Sequence, residues 1–175
     1  MTASTTDYAV DRLDDDRLDD DGAPIRVEPD GRDMVGRLVW AQITTGRRID
    51  GAWWPHTRDA AAELLTLVPV VSEHLGGPVR RVSLNIDAWD LDQPRRLQVG
   101  DGLVRLGWFH TLDPATVTLG RRNDDRVTLL VIPPGLDPVA ARRLLRRLAT
   151  ASAWPDSAMS ALSGTWSGDG TRGGT

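Results

Sequence analysis

The middle of the chain contains short segments in which apolar and polar residues alternate, and two longer segments in which apolar residues recur every three to four positions. Residues 81–89 alternate most clearly, which predicts a strand with one buried face. The same pattern predicts further strands at residues 37–42, 48–54, 96–99, 103–110, 116–121 and 126–132. The helical spacing predicts an amphipathic helix capped by Thr57 and a second one that begins at Asp137.

The predicted order of elements is β-β-α-β-β-β-β-β-α, with about six or seven strands. Links of hairpin length join most of the strands, so we expect a mainly antiparallel sheet with both helices on one of its faces. This arrangement is an α+β fold. If the sheet curls around the C-terminal helix, the fold becomes helix-grip-like and encloses a cavity; the pattern fits both forms.

Both ends of the chain differ in composition from its middle. Residues 1–33 hold 11 acidic residues against 4 arginines, including the sequence Arg-Leu-Asp-Asp-Asp at 12–16 and again at 17–21. Such a block repels itself and buries little apolar surface, so residues 1–34 are predicted to be a disordered acidic tail. Residues 153–175 are rich in Ser, Gly and Thr and are predicted to be a second disordered tail. A single α+β domain is expected at residues 35–152.

Two residue types are absent from the chain, and their absence excludes whole classes of chemistry. There is no cysteine, so disulfides, thiolate catalysis and cysteine-based zinc sites are excluded. All 21 basic residues are arginine, which excludes a Walker A lysine and Schiff-base catalysis. The sequence shows neither a signal-peptide pattern nor an apolar run of bilayer length, so we expect a cytoplasmic protein without membrane contact.

Four motifs occur in a distinctive order: GAWWP at Gly51–Pro55, NIDAW at Asn85–Trp89, VRLGWF at Val104–Phe109 and LLVIPP at Leu129–Pro134. In this order they resemble an actinobacterial family of domains of unknown function, over roughly residues 36–152. The resemblance implies no activity and no cofactor. It does imply that the two ends are appendages to one domain, and the abundance of Arg, Asp, Ala and Gly fits a GC-rich genome.

Trp53 and Trp54 are the first candidates for a recognition surface. Neighbouring residues of a strand point to opposite faces, so both rings are buried only where both faces are covered. According to one hypothesis, one ring packs in the core and the other lies beneath a loop or tail, since tryptophan is usually buried. The other makes them an aromatic platform for a ligand or a partner protein.

A second group of candidates lies on the strand predicted at 81–89, where Asn85, Asp87 and Trp89 share one face. Arg105 is expected on a nearby strand. An amide, a carboxylate and a guanidinium around an indole suit a small polar ligand with an anionic group. Alternatively, Asp87 and Arg105 form a cross-strand ion pair on a solvated face.

Catalytic residues are harder to find. Asp87 or His110 is a candidate acid–base for a small hydrolase or isomerase, provided that the sheet forms a cavity around it. The spacing of the three histidines matches no metal-binding motif, and neither a metal nor a cofactor is predicted.

The last predicted helix carries a basic face, formed by Arg142, Arg143, Arg146 and Arg147. Three roles are open: a solvated surface, a contact for nucleic acid, and a docking site for the acidic tail. The sequence pI of about 5.3 and the lack of a nucleic-acid-binding motif argue against nucleic acid as the partner.

The leading hypothesis from the sequence is therefore a non-catalytic intracellular binding or interaction module, monomeric or homodimeric, that recognises a protein or a small polar ligand. Its recognition residues are Trp53, Trp54, Asn85, Asp87, Trp89 and Arg105. The alternative is a small enzyme that uses Asp87 or His110. The third possibility is a nucleic-acid-associated accessory factor that uses the arginines of the last helix.

Overall fold

The computed structural model describes Met34 and residues 36–42, 49–122, 125–150 and 156–167, without the side chains of residues 156–159 and 167. Its strands are β1 (Leu38–Trp40), β2 (Gly51–Trp53), β3 (Arg81–Asn85), β4 (Arg96–Val99), β5 (Gly102–Phe109), β6 (Thr116–Arg122) and β7 (Asp125–Val131). Its helices are α1 (Ala60–His74), α2 (Pro138–Thr150) and α3 (Asp156–Ser167). The acidic residues 1–33 and the C-terminal residues 168–175 lie outside the described residues.

The predicted α+β class is confirmed, with one sheet of seven strands in the order β1-β2-β7-β6-β3-β5-β4. The sheet is mixed rather than antiparallel throughout, because β2 pairs with β7 and β3 pairs with β5 in parallel. The other four pairings are antiparallel. The parallel pairing of β3 and β5 arises because residues 86–95 form a long connection rather than a hairpin. The chain thereby reaches the sheet edge as β4, and β5 returns between β4 and β3.

One face of the sheet is apolar and packs against α1. The register sets Val82 beside Leu106 and Leu119, and all three side chains are buried. Toward the other end of the sheet, the Trp40 ring stacks on that of His74, the last residue of α1, with 3.7 Å between ring centroids. Helix α1 therefore covers this face, as its apolar stripe predicts.

Helix α2 lies on the opposite face, over β1 and β2. The register places Val39, Ala52 and Leu130 in one row on that face, and Leu145 of α2 lines a cavity together with Val39. The expectation that both helices cover one face is therefore corrected, and the sheet does not wrap around α2 as a helix-grip fold requires. Over β6, β3, β5 and β4, no helix among the described residues covers this side of the sheet, which we call the open face.

The third helix lies in the segment that composition predicted to be a tail. Its Trp166 is buried and donates from Nε1 to the carbonyl of Val131 at 3.1 Å. The Trp166 ring lies 5.9 Å from that of Trp89, which lies 5.7 Å from that of Trp53. Composition did not predict this helix because a few residues, chiefly Trp166 and the buried Leu162, anchor a segment whose average composition is polar.

The helix starts were partly predicted. Helix α2 begins as expected, since Asp137 Oδ2 accepts from the backbone N–H of Ala140 at 2.9 Å. For α1, the prediction of Thr57 as the cap was wrong. Asp59 is the N-cap, and its Oδ1 accepts from the N–H of Ala62 at 3.1 Å, so the helix begins two residues later than the pattern indicated.

Candidate anion-binding site on the open face

Four arginines lie in one cross-strand row on the open face. The register pairs Arg96 with Arg105, Arg105 with Arg81, Arg81 with Gly120 and Gly120 with Arg126. Residues that lie directly opposite each other on neighbouring strands point to the same face of a sheet. The row crosses from β4 to β7 over four strand spacings, or about 19 Å at 4.8 Å per spacing. We call these four residues the arginine row.

A concavity of about 590 Å³ lies on the open face beside the arginine row. Gly120 leaves room between Arg81 and Arg126, where any other side chain would project into this space. The lining includes no acidic side chain within the described part of the chain and consists of Arg80, Arg81, Ser83, Leu103, Arg105, Thr118, Gly120, Arg121, Arg122 and Arg126.

Arginine dominates the lining of the concavity, with six of the ten residues. Arg121 lies 2.8 Å from the carboxylate of Asp125 and donates to the carbonyl of Gly76, so its charge is partly neutralised. Like charges on directly opposite strand positions destabilise a sheet, because they repel at close range. An anion bound among the guanidinium groups is attracted by several of them at once. Each arginine fork can also grip a phosphate or carboxylate with two hydrogen bonds.

A first prediction follows from the repulsion within the arginine row. In dilute buffer without multivalent anions, Arg81→Gln is expected to raise the free energy of unfolding by about 0.5 kcal/mol, since Arg81 and Arg105 lie directly opposite each other. The gain should shrink as salt screens the charges. Urea denaturation at two salt concentrations measures it. Arg143→Gln, the same change at an exposed position of α2, serves as the control. A lower free energy of unfolding for Arg81→Gln would contradict the predicted repulsion.

The tryptophans predicted as recognition residues lie in the core. Trp53, Trp54 and Trp89 are 0%, 3% and 4% exposed. The guanidinium of Arg37 stacks on the Trp54 ring at 4.0 Å from its centroid. The indole Nε1 atoms of the three have no hydrogen-bond partner in the described part of the chain, so ring packing holds them in place. None of the three contributes an accessible aromatic surface.

Asn85 has a structural role at the end of β3. Its Oδ1 accepts from the backbone N–H of Asp87 at 2.7 Å and from that of Ala88 at 3.1 Å, and its Nδ2 donates to the carbonyl of Leu112 at 2.6 Å. These bonds form a turn that ends the strand at Asn85. The prediction that residues 85, 87 and 89 share one strand face was therefore wrong.

Asp87 and His110 come together at an exposed position. Asp87 Oδ2 lies 3.0 Å from His110 Nδ1, but their side chains are 70% and 74% exposed. The acid–base hypothesis assumed a cavity, and neither residue lines the concavity on the open face. Arg105 lies in the middle of β5, four residues before Phe109, and Phe109 pairs with Asn85, so Arg105 is too far from Asp87 for the predicted cross-strand pair.

The arginines of α2 divide between two environments. Arg142 and Arg146 line a second cavity of about 420 Å³ beside Val39, Trp54 and Leu145. Arg143 and Arg147 are exposed and line neither cavity. The acidic tail that was a possible occupant of this helix lies outside the described residues.

The described residues contain neither a cluster of metal ligands nor a membrane-spanning helix. No three side chains of His, Asp or Glu in the described ranges converge as a metal site requires. Among the same residues, none of the helices is both long enough and apolar enough to cross a bilayer.

The sequence analysis singled out Arg105 but missed the rest of the site. The alternating pattern predicted only that three further positions are polar strand positions: Arg81, Arg96 and Arg126. Their alignment depends on strand order and register, which link residues up to 45 positions apart. The net charge of the domain also gives no sign of the arginine row, because acidic residues elsewhere in the domain offset its charge.

The fold and the site define a class: an α+β domain whose mixed sheet has a helix across one face and a basic, partly uncovered opposite face. The chain belongs to a family of unknown function, DUF5994, whose sequence model matches residues 37–148. This match confirms the predicted relation to a family of uncharacterised domains. Searches of curated proteins and of solved structures gave no match.

Proposed function

We propose that this protein is a non-catalytic binding module that holds a ligand with several closely spaced anionic groups on the open face of its sheet. The alignment of the arginine row is the observation that carries the proposal. The row places four guanidinium groups on one face of the sheet, so a ligand with several negative charges can contact more than one of them at once.

The shape and chemistry of the concavity support the same function. Six arginines around a space of about 590 Å³ provide many planar donor pairs, which suit phosphate and carboxylate groups. The hydroxyl groups of Ser83 and Thr118 add donors and acceptors on the floor. Of the six recognition residues predicted from the sequence, this proposal retains Arg105.

Titration calorimetry with inorganic tripolyphosphate tests the proposal. The double variant Arg81→Gln with Arg126→Gln removes two guanidinium groups from the arginine row, both of which line the concavity. Charge-assisted hydrogen bonds contribute about 1.5 kcal/mol each at the low end, so we expect affinity to fall roughly 100-fold. Affinity should also fall steeply with added salt.

The matched control carries Arg143→Gln with Arg147→Gln, which makes the same change in net charge on exposed positions of α2. This variant should bind tripolyphosphate within about twofold of the unmodified protein, since α2 lies over β1 and β2, away from the arginine row. Equal losses in the two double variants would show that net charge, rather than the arginine row, determines binding, and would refute the proposal.

A further inference from the structure

An exposed aromatic ring lies beside the arginine row. Phe109, at the end of β5, is 47% exposed, and its ring folds back over Gly107. A Cβ atom at position 107 would lie 2.7 Å from Phe109 Cε2 and 3.0 Å from Cζ. Glycine at this position therefore lets the ring lie close against the backbone of the sheet, where it presents its other side to solvent.

The ring and the arginine row belong to one surface. Side chains two residues apart on a strand share a face, so Arg105, Gly107 and Phe109 all face the open side. Gly107 pairs with Ser83, and Arg105 pairs with Arg81. The ring over Gly107 is thus one side-chain row from the arginines, about 7 Å along the strand. Ser83, which lines the concavity, lies beside it.

We infer that the ligand of this face is a single-stranded nucleic acid, with a base stacked on Phe109 and phosphates on the arginine row. The inference rests on the proposed function and names its ligand class. A positively charged groove with an aromatic stacking surface is the combination that binds single strands without reading their sequence. The row of about 19 Å suits roughly four nucleotides, the short end of the range for single-strand sites.

Two other oligoanions fit the surface less well. Inorganic polyphosphate satisfies the arginines but has no ring to stack on Phe109. The Asp-rich peptide of residues 12–21 of this chain also has no aromatic ring. A duplex keeps its bases stacked inside, so none of them is available to stack on the Phe109 ring. Phe109 therefore distinguishes a single strand from these alternatives.

Fluorescence anisotropy with a labelled ten-nucleotide oligothymidine, dT10, tests the inference alongside tripolyphosphate. Phe109→Leu keeps an apolar side chain but removes the ring, and we expect the Kd for dT10 to rise roughly five- to fifty-fold. Binding of tripolyphosphate should stay unchanged. Phe109→Trp should restore dT10 binding, and Leu91→Ala, on the 97%-exposed Leu91, should leave both ligands unaffected.

The salt dependence gives a second readout that folding defects would not mimic. Each phosphate contact contributes about 0.7 to the slope of log K against log salt for single strands. Arg81→Gln should lower that slope by about 0.7, whereas Phe109→Leu should leave it unchanged. The pair of variants therefore separates phosphate contacts from base stacking.

Three results would overturn the inference. They are equal dT10 affinity of the Phe109→Leu and unmodified proteins, equal affinity for dT10 and a ten-base-pair duplex, and binding of a synthetic peptide of residues 11–21 without binding of dT10. If tripolyphosphate binding still depends on Arg81 in such a case, the proposed function stands and only the ligand class is wrong. If neither ligand binds, both fail.

Discussion

Replacing Trp89 with alanine is expected to lower the free energy of unfolding by about 3–5 kcal/mol, the usual range for a buried aromatic residue. Trp89 is 4% exposed and lies between the rings of Trp53 and Trp166. The substitution leaves a cavity and removes the ring contact that links α3 to β2. The free energy of unfolding of a small domain is only about 5–15 kcal/mol, so this substitution would remove a large fraction of it.

Urea denaturation or thermal melting measures the effect, with a fall in Tm of roughly 10–20 °C. Trp89→Phe is the matched control: its loss should be clearly smaller, because the Trp89 Nε1 atom has no hydrogen-bond partner to lose and most of the ring contact remains. If Trp89→Ala instead left stability unchanged and abolished ligand binding, the tryptophan would be a recognition residue, as one hypothesis from the sequence held.

Glu63 is the second residue whose substitution should have a large effect. Its side chain is fully buried in the first turn of α1. Oε2 accepts from the backbone N–H of His56 at 3.0 Å, and Oε1 accepts from the N–H and the hydroxyl of Thr57, both at 2.9 Å. The Glu63 carboxylate therefore holds the segment between β2 and α1 against the start of the helix. It also lies near the positive end of the helix dipole.

We expect Glu63→Gln to lower the free energy of unfolding by about 3 kcal/mol. The glutamine amide presents an NH₂ group where a carboxylate oxygen accepted hydrogen bonds, so buried donors of His56 or Thr57 lose their acceptor. Chemical denaturation gives the value. Glu73→Gln, on an exposed turn of the same helix, should change stability by less than about 0.5 kcal/mol, and a similar loss at both positions would contradict this role.

Local patterns predicted the elements well where the cause is local. Alternation located the strands, and the Asp137-Pro138 pair located the start of α2, because capping and side-chain period depend on neighbours in sequence. The failures at Thr57 and at residues 85–89 have one cause. Side chains of Asp59 and Asn85 bond to nearby backbone groups, and several polar residues compete for that role in a short segment.

The sequence patterns could not predict features that depend on tertiary structure. Glu63 is one of three glutamates in the chain, and its burial depends on how the preceding loop folds onto α1. The parallel pairing of β3 with β5 depends on a strand exchange at the sheet edge. The same exchange sets Arg105 between Arg81 and Arg96, so the candidate site arises from the topology.

The buried tryptophans illustrate how composition misleads about function. Trp53 and Trp54 stand next to each other, and neighbouring strand residues point to opposite faces. Both are buried because the two sides are covered: Trp53 packs against the Trp89 ring, and Trp54 lies beside Leu145 of α2. The accessible aromatic beside the charged surface is Phe109 instead.

The most direct test of the central claim is NMR observation of the arginine side chains during titration with tripolyphosphate. In protein labelled with ¹⁵N-arginine, each Nε–Hε group reports on its own surroundings. We predict saturable shifts for Arg81, Arg105 and Arg126, which line the concavity, and none for Arg143 and Arg147. Shifts at the α2 arginines while those of the arginine row stay unchanged would contradict the account.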